Sequence, residues 1–147
     1  MSNQPNSVAF YLLRVSPGAP QQAQPTRIPI TLANTNILGA AVSPDGQTLA
    51  VLSQPVVNFD PGRTSSKSIL QTLRTYSLAT AQVLRTWTAT GLNADGQSGL
   101  TWLDDGHTLG FAALALTGAV GHWDIRTLNT TSPGTNLTAD STVGTGR

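Results

Sequence analysis

The pattern Asp-Gly-x-Thr-Leu occurs twice in this chain, beginning at Asp45 and at Asp105, 60 residues apart. Apolar runs flank each copy. Leu38-Gly39-Ala40-Ala41-Val42 leads into the first and Ala50-Val51 follows it; Gly99-Leu100-Thr101-Trp102-Leu103 leads into the second and Gly110-Phe111 follows. Asp-Gly between two apolar runs is a β-hairpin signal. Gly takes positive φ without steric cost and Asp tolerates it, so a two-residue turn is expected at each site. The turn residues are Pro44, Asp45 and Gly46 in the first copy and Asp105 and Gly106 in the second. Self-similarity over such an interval points to stacked β-sheet units.

Composition agrees. Only 10% of the 147 residues are charged, against roughly 25% in ordinary soluble domains. The surface must then be covered by Thr, Ser, Asn, Gln and Gly, which suit strands and turns better than surface helices. The formal net charge is +1 and the eight basic residues are dispersed, which gives no electrostatic footprint for nucleic acid or an anionic membrane. No apolar stretch approaches the roughly 18 residues of a membrane span. The N-terminal residues lack the basic and apolar regions of a signal peptide, so a cytoplasmic location is the default expectation. There is no Cys, which removes disulfides, thiolate metal sites and Cys nucleophiles.

Strands are expected over Val8 to Val15, Arg27 to Leu32, Ile37 to Ser43, Thr48 to Ser53, Ile69 to Leu78 and Val83 to Thr90. In the second half they are expected over Leu100 to Leu103, Thr108 to Ala112 and Trp123 to Leu128. In Phe111 to Ala119, Ala and Leu favour helix, but Thr117-Gly118 and the alignment of the two copies favour strand plus loop. Pro29 has no ladder donor and confines its strand to a sheet edge or a bulge. Gln54 to Ser68 reads as a long loop, Gly91 to Gly96 as a linker and Thr131-Ser132-Pro133-Gly134 as a turn. The strands do not alternate cleanly between apolar and polar residues, as expected where sheets are covered on both faces.

Ser43-Pro44-Asp45-Gly46-x-Thr48-Leu49-Ala50, followed by Leu73-Arg74-Thr75-Tyr76-Ser77-Leu78-Ala79-Thr80, resembles the blade motif of WD-repeat-like β-propellers. Leu84-Arg85-Thr86-Trp87, Leu100 to Gly106 and Leu128 to Gly134 are similar to segments of uncharacterised actinobacterial propeller proteins. Many of those carry a membrane anchor ahead of the propeller. The resemblance implies an all-β fold of antiparallel four-stranded propeller blades. Residues 1–147 would form a single incomplete β-propeller segment, with an outer half-blade at 8–32, a full blade at 37–90 and a partial second blade at 98–141. Propellers take about 4–8 blades, so this length cannot close a ring alone.

Catalytic or metal chemistry finds little support. Asp104, Asp105, His107, His122 and Asp124 lack ligand spacing, and Asp104 and Asp105 belong to a turn, where Asp bonds its own backbone. Gly96-Gln97-Ser98-Gly99-Leu100 falls short of G-x-S-x-G. Asn129-Thr130-Thr131 and Asn136-Leu137-Thr138 read as turn chemistry. No catalytic, cofactor-binding or metal residue is assigned, and no cofactor is expected. The large anchors are Trp87, Trp102 and Trp123, read as packing between blades or as interface hot spots, with Trp123 expected in the core.

The expected function is therefore a non-enzymatic scaffold or protein-interaction module of β-propeller type, probing no nucleic acid and spanning no membrane. The alternatives are a truncated relic, or a propeller-type hydrolase active only as an oligomer. Terminal sheets without neighbours would leave Phe10, Leu12 and an apolar face of the last sheet open. Uncapped arrays and open sheet edges associate, so self-association is expected.

Overall fold

The computed structural model describes residues 7–56, 71–89, 97–117 and 120–143. The expected loop at Gln54 to Ser68 and linker at Gly91 to Gly96 lie largely or wholly outside them. The strands are β1 (Ser7–Leu13), β2 (Pro25–Ala33), β3 (Thr35–Val42), β4 (Thr48–Pro55), β5 (Gln71–Ser77), β6 (Val83–Ala89), β7 (Gln97–Trp102), β8 (Thr108–Thr117), β9 (Val120–Asn129) and β10 (Thr142–Val143). One short helix, α1 (Leu137–Asp140), precedes β10. The pairings are antiparallel, and the chain is all-β. Two compact units, Met1–Thr35 and Asn36–Arg147, divide it.

The first unit is a hairpin of β1 and β2. Its register slips where Ala9 faces Thr31 but Phe10 faces Ile28, which leaves Pro29 and Ile30 as extra residues on β2. A proline can be accommodated there because a bulge asks for no ladder donor. Alternate residues of β1 differ in exposure. Phe10 and Leu12 are half-buried, whereas Tyr11 and Leu13 are 62% and 52% exposed. The open apolar set on this strand is thus Tyr11 and Leu13 rather than the expected Phe10 and Leu12. The sequence is apolar on both faces, so composition did not say which face is covered.

The second unit holds two four-stranded sheets, ordered β3-β4-β5-β6 and β10-β9-β8-β7. In each, consecutive strands are neighbours. The two Asp-Gly turns joining β3 to β4 and β7 to β8 close alike. Ser43 N–H donates to Thr48 O at 2.8 Å and Gly46 N–H to Ser43 O at 2.8 Å; Leu103 N–H donates to Thr108 O at 2.8 Å and Gly106 N–H to Leu103 O at 3.0 Å. Gly46 and Gly106 have φ of +74° and +77°, and Asp45 and Asp105 are not in the left-handed region. The loops therefore hold four residues, Pro44 to Gln47 and Asp104 to His107, in place of the expected two-residue turn. Pro44 has its φ locked near −65°, which suits the first central position of an ordinary β-turn and pushes the glycine one place later.

β4 is buried on both faces from Leu49 through Ser53, as the poor alternation of its sequence implied. Ala50, Leu52, Leu73, Trp87 and Ala89 of the first sheet join Leu109, Phe111, Ala113 and Leu128 of the second, with Leu137 of α1, in one core cluster. Phe111 to Thr117 is strand. Neither α1 nor β10 was expected from the sequence. Asn136 caps α1, its Oδ1 accepting from Thr138 N–H and Ala139 N–H at 3.0 Å each. Asn129 Oδ1 likewise accepts from Thr131 N–H at 2.9 Å. Asn129-Thr130-Thr131 thus serves turn chemistry as expected, whereas Asn136-Leu137-Thr138 opens a short helix rather than a turn.

Candidate functional site

Three places in the second unit concentrate side chains with something to do: the seam between its sheets, the far face of its second sheet, and the two acidic turns.

The seam is built around close backbone approach. A Cβ on Gly39 of β3 would lie 2.9 Å from Leu100 Cβ and 3.0 Å from the Gly99 carbonyl carbon of β7, so the missing side chain is what lets the strands meet. Trp102 is half-buried against the core, and its Nε1–H donates to Ala41 O at 3.0 Å. Trp87 is 1% exposed. Arg85, two residues earlier on the same face of β6, stacks its guanidinium 4.5 Å from the Trp87 ring centre. Arg85 Nη1 donates to Thr130 O at 2.5 Å and Ser132 O at 2.6 Å, and Nη2 to Gly134 O at 2.7 Å. One planar cation thus holds three carbonyls of the loop after β9, a geometry a guanidinium fork provides and an ammonium does not. Thr88 N–H donates to Thr135 O at 2.9 Å, and Thr88 bridges Asn136 in parallel. The same loop therefore covers part of the outer edge of β6, which would otherwise offer a template for pairing. Arg126 Nη1 donates to Thr138 O at 3.2 Å and to Ser141 Oγ at 2.9 Å, tying α1 back to β9.

The far face of the second sheet differs. Leu109, Phe111 and Leu128 turn toward the core cluster, so by alternation Gly110, Ala112, Trp123, Ile125 and Thr127 occupy the other face. Trp123 is 56% and Ile125 61% exposed. Trp123 therefore does not pack in the core as expected; its position on β9 puts it on the face opposite Leu128. Thr101, whose Cγ2 lies 3.4 Å from where a Gly110 Cβ would be, and Thr142, paired with Thr127, share this face. None of these residues is charged.

The acidic turns are engaged in their own closure. Asp45 Oδ1 accepts from Ser43 Oγ–H at 2.6 Å and Gln47 N–H at 3.0 Å. The Ser43 hydroxyl bond, then the Gln47 amide, hold its carboxyl below the usual value of 3.8. Asp105 accepts from the Thr108 hydroxyl and from His107 N–H at 3.0 Å. Those two contacts, in that order, lower its pKa as well. His107 Nε2 lies 3.4 Å from Asp105 Oδ2. Among the described residues no three His, Asp or Glu side chains gather as a metal site, and no helix is long and apolar enough to cross a membrane. The side chain of His122 lies outside the described ones.

The turn residues Pro44, Asp45, Gly46, Asp105 and Gly106 thus close two hairpins, Trp87 and Trp102 line one seam, and Trp123 stands on the open face. The sequence carried no signal for what Arg85 holds, because its partners lie 45 to 49 residues away. Comparison with protein-family models, with curated proteins and with solved structures returns no match to this chain.

Proposed function

We propose that this protein is a non-enzymatic binding scaffold of β-propeller type that works through exposed sheet surface rather than through a catalytic centre. The single observation that carries the reading is the open face of the second sheet, where Trp123 and Ile125 stand exposed side by side on a sheet otherwise packed into a core. Aromatic side chains of this kind are the usual anchors of protein interfaces. The propeller element of the reading is supported by two consecutive four-stranded antiparallel meanders whose first strands, β3 and β7, approach at Gly39 and Leu100. Adjacent blades of a propeller bring their inner strands together in this way. The Asp45 and Asp105 carboxylates, committed to closing turns, fit a scaffold role better than acid–base work.

An experimental structure of the protein in its associated state tests the propeller element. Successive sheets related by a constant rotation about an axis near β3 and β7 are expected. Two sheets stacked as a plain sandwich, with no such axis, would overturn it.

A further inference from the structure

The β4–β5 and β8–β9 pairs of the second unit share a register. Leu52, four residues beyond Thr48, pairs with Leu73; Ala112, four beyond Thr108, pairs with Ile125. Ala50 pairs with Thr75 and Gly110 with Thr127 in the same way. Leu52 and Leu73 are both 0% exposed, in the cluster that joins the sheets. Ile125, at the position of Leu73, is open. The face that the first sheet uses to pack against its neighbour is thus the face on which the second sheet leaves Trp123 and Ile125 exposed.

The packing inside the chain is between unlike faces: Leu52 and Leu73 of one sheet meet the cluster containing Leu109 and Phe111 of the other. A partner for the Trp123 and Ile125 face is therefore expected to bring a different apolar strand surface, not a copy of the same one. The chain carries such a surface on its hairpin. Tyr11 and Leu13 stand exposed on alternate positions of β1, with Arg27 opposite Tyr11 on β2. Among the described residues Arg27, whose Nη2 also donates to Thr31 Oγ1 at 3.4 Å, is the one cation on that face, and an indole such as Trp123 accepts a guanidinium; the described residues of the Trp123 face carry no charge to repel it.

We infer that this protein associates head to tail with a second copy of itself, the Tyr11 and Leu13 face of one copy covering the Trp123 and Ile125 face of the next. This deepens the binding reading above and rests on it. An interface between unlike surfaces forms a ring if its rotation closes and a filament if it does not. Each face offers few large side chains, so the contact is weak and concentration-dependent.

Light scattering after size-exclusion chromatography tests the inference with two double variants, Tyr11→Thr with Leu13→Thr and Trp123→Thr with Ile125→Thr. Threonine keeps strand propensity at exposed positions, and circular dichroism verifies the fold. If a pair unfolds, Leu13→Thr and Ile125→Thr alone carry the same comparison. The wild type is expected to grow in mass with concentration, each variant to remain at 15.3 kDa, and an equimolar mixture to give a species of twice that mass. That mixture is decisive, since each variant retains the face the other lacks. A wild type that stays monomeric overturns the inference, and its binding of some other protein through Trp123 would leave the scaffold reading standing. A hairpin variant that still dimerises alone also overturns it, by showing a like-with-like contact.

Discussion

Leu73 and Ile125 hold the same register position in two strand pairs, β4–β5 and β8–β9, yet one is sealed in a core and the other faces solvent. What separates them is whether another sheet lies against that face. Burial is thus set here by which sheet lies against a strand rather than by the strand itself, and β9 keeps Trp123 and Ile125 exposed.

The largest expected effect comes from truncating the two residues in parallel. Leu73→Ala removes a fully buried side chain and should cost about 2–5 kcal/mol. Ile125→Ala, measured in dilute protein, should change stability by less than about 0.5 kcal/mol. Urea denaturation of both variants makes the comparison directly, and equal losses would break it.

Arg85→Lys sharpens the account of the seam. Lysine keeps the charge but cannot span the Thr130, Ser132 and Gly134 carbonyls, so a loss of about 1–3 kcal/mol is expected. Faster amide exchange through residues 130–136 should accompany it. A smaller effect of opposite sign is expected at Ala81, which turns the chain between β5 and β6 with φ of +60°. Ala81→Gly relieves the left-handed strain and should stabilise by about 0.5–1 kcal/mol by thermal melting.

The smallest effect concerns acid. Asp45 and Asp105 have folded pKa values below 3.8. Their contribution is therefore present above the unfolded value and is lost as pH falls through the folded one. Asp45→Asn together with Asp105→Asn should flatten the decline in stability below about pH 4 while leaving its shape above pH 5 unchanged, as read from melts across that range.

Much of the fold was legible. The two Asp-Gly signals marked the β3–β4 and β7–β8 turns, and Pro29 called for a sheet edge or a bulge, of which the register of β2 shows a bulge. The turn length was not, because Pro44 and the first central position outweigh the Asp-Gly preference when a proline or a second aspartate precedes it. The short helix and β10 were missed because four helical residues and two strand residues leave no period to detect. Asn136 was the available signal, read only as a turn. The site was harder. Tryptophan identity says that a side chain seeks cover but not which face of a strand receives it, so Trp87 and Trp123 looked alike. Arg85 looked ordinary because its role depends on carbonyls brought close only by the packing of the sheets.

Replacing the three tryptophans with 5-fluorotryptophan and recording fluorine spectra with a soluble gadolinium chelate tests the contrast most directly. In dilute protein, Trp123 should broaden strongly, Trp102 less, and Trp87 hardly at all. On concentration, Trp123 should lose that broadening while the other two stay as they were. A Trp123 signal as protected as that of Trp87 in the dilute protein would contradict the open face on which the account depends.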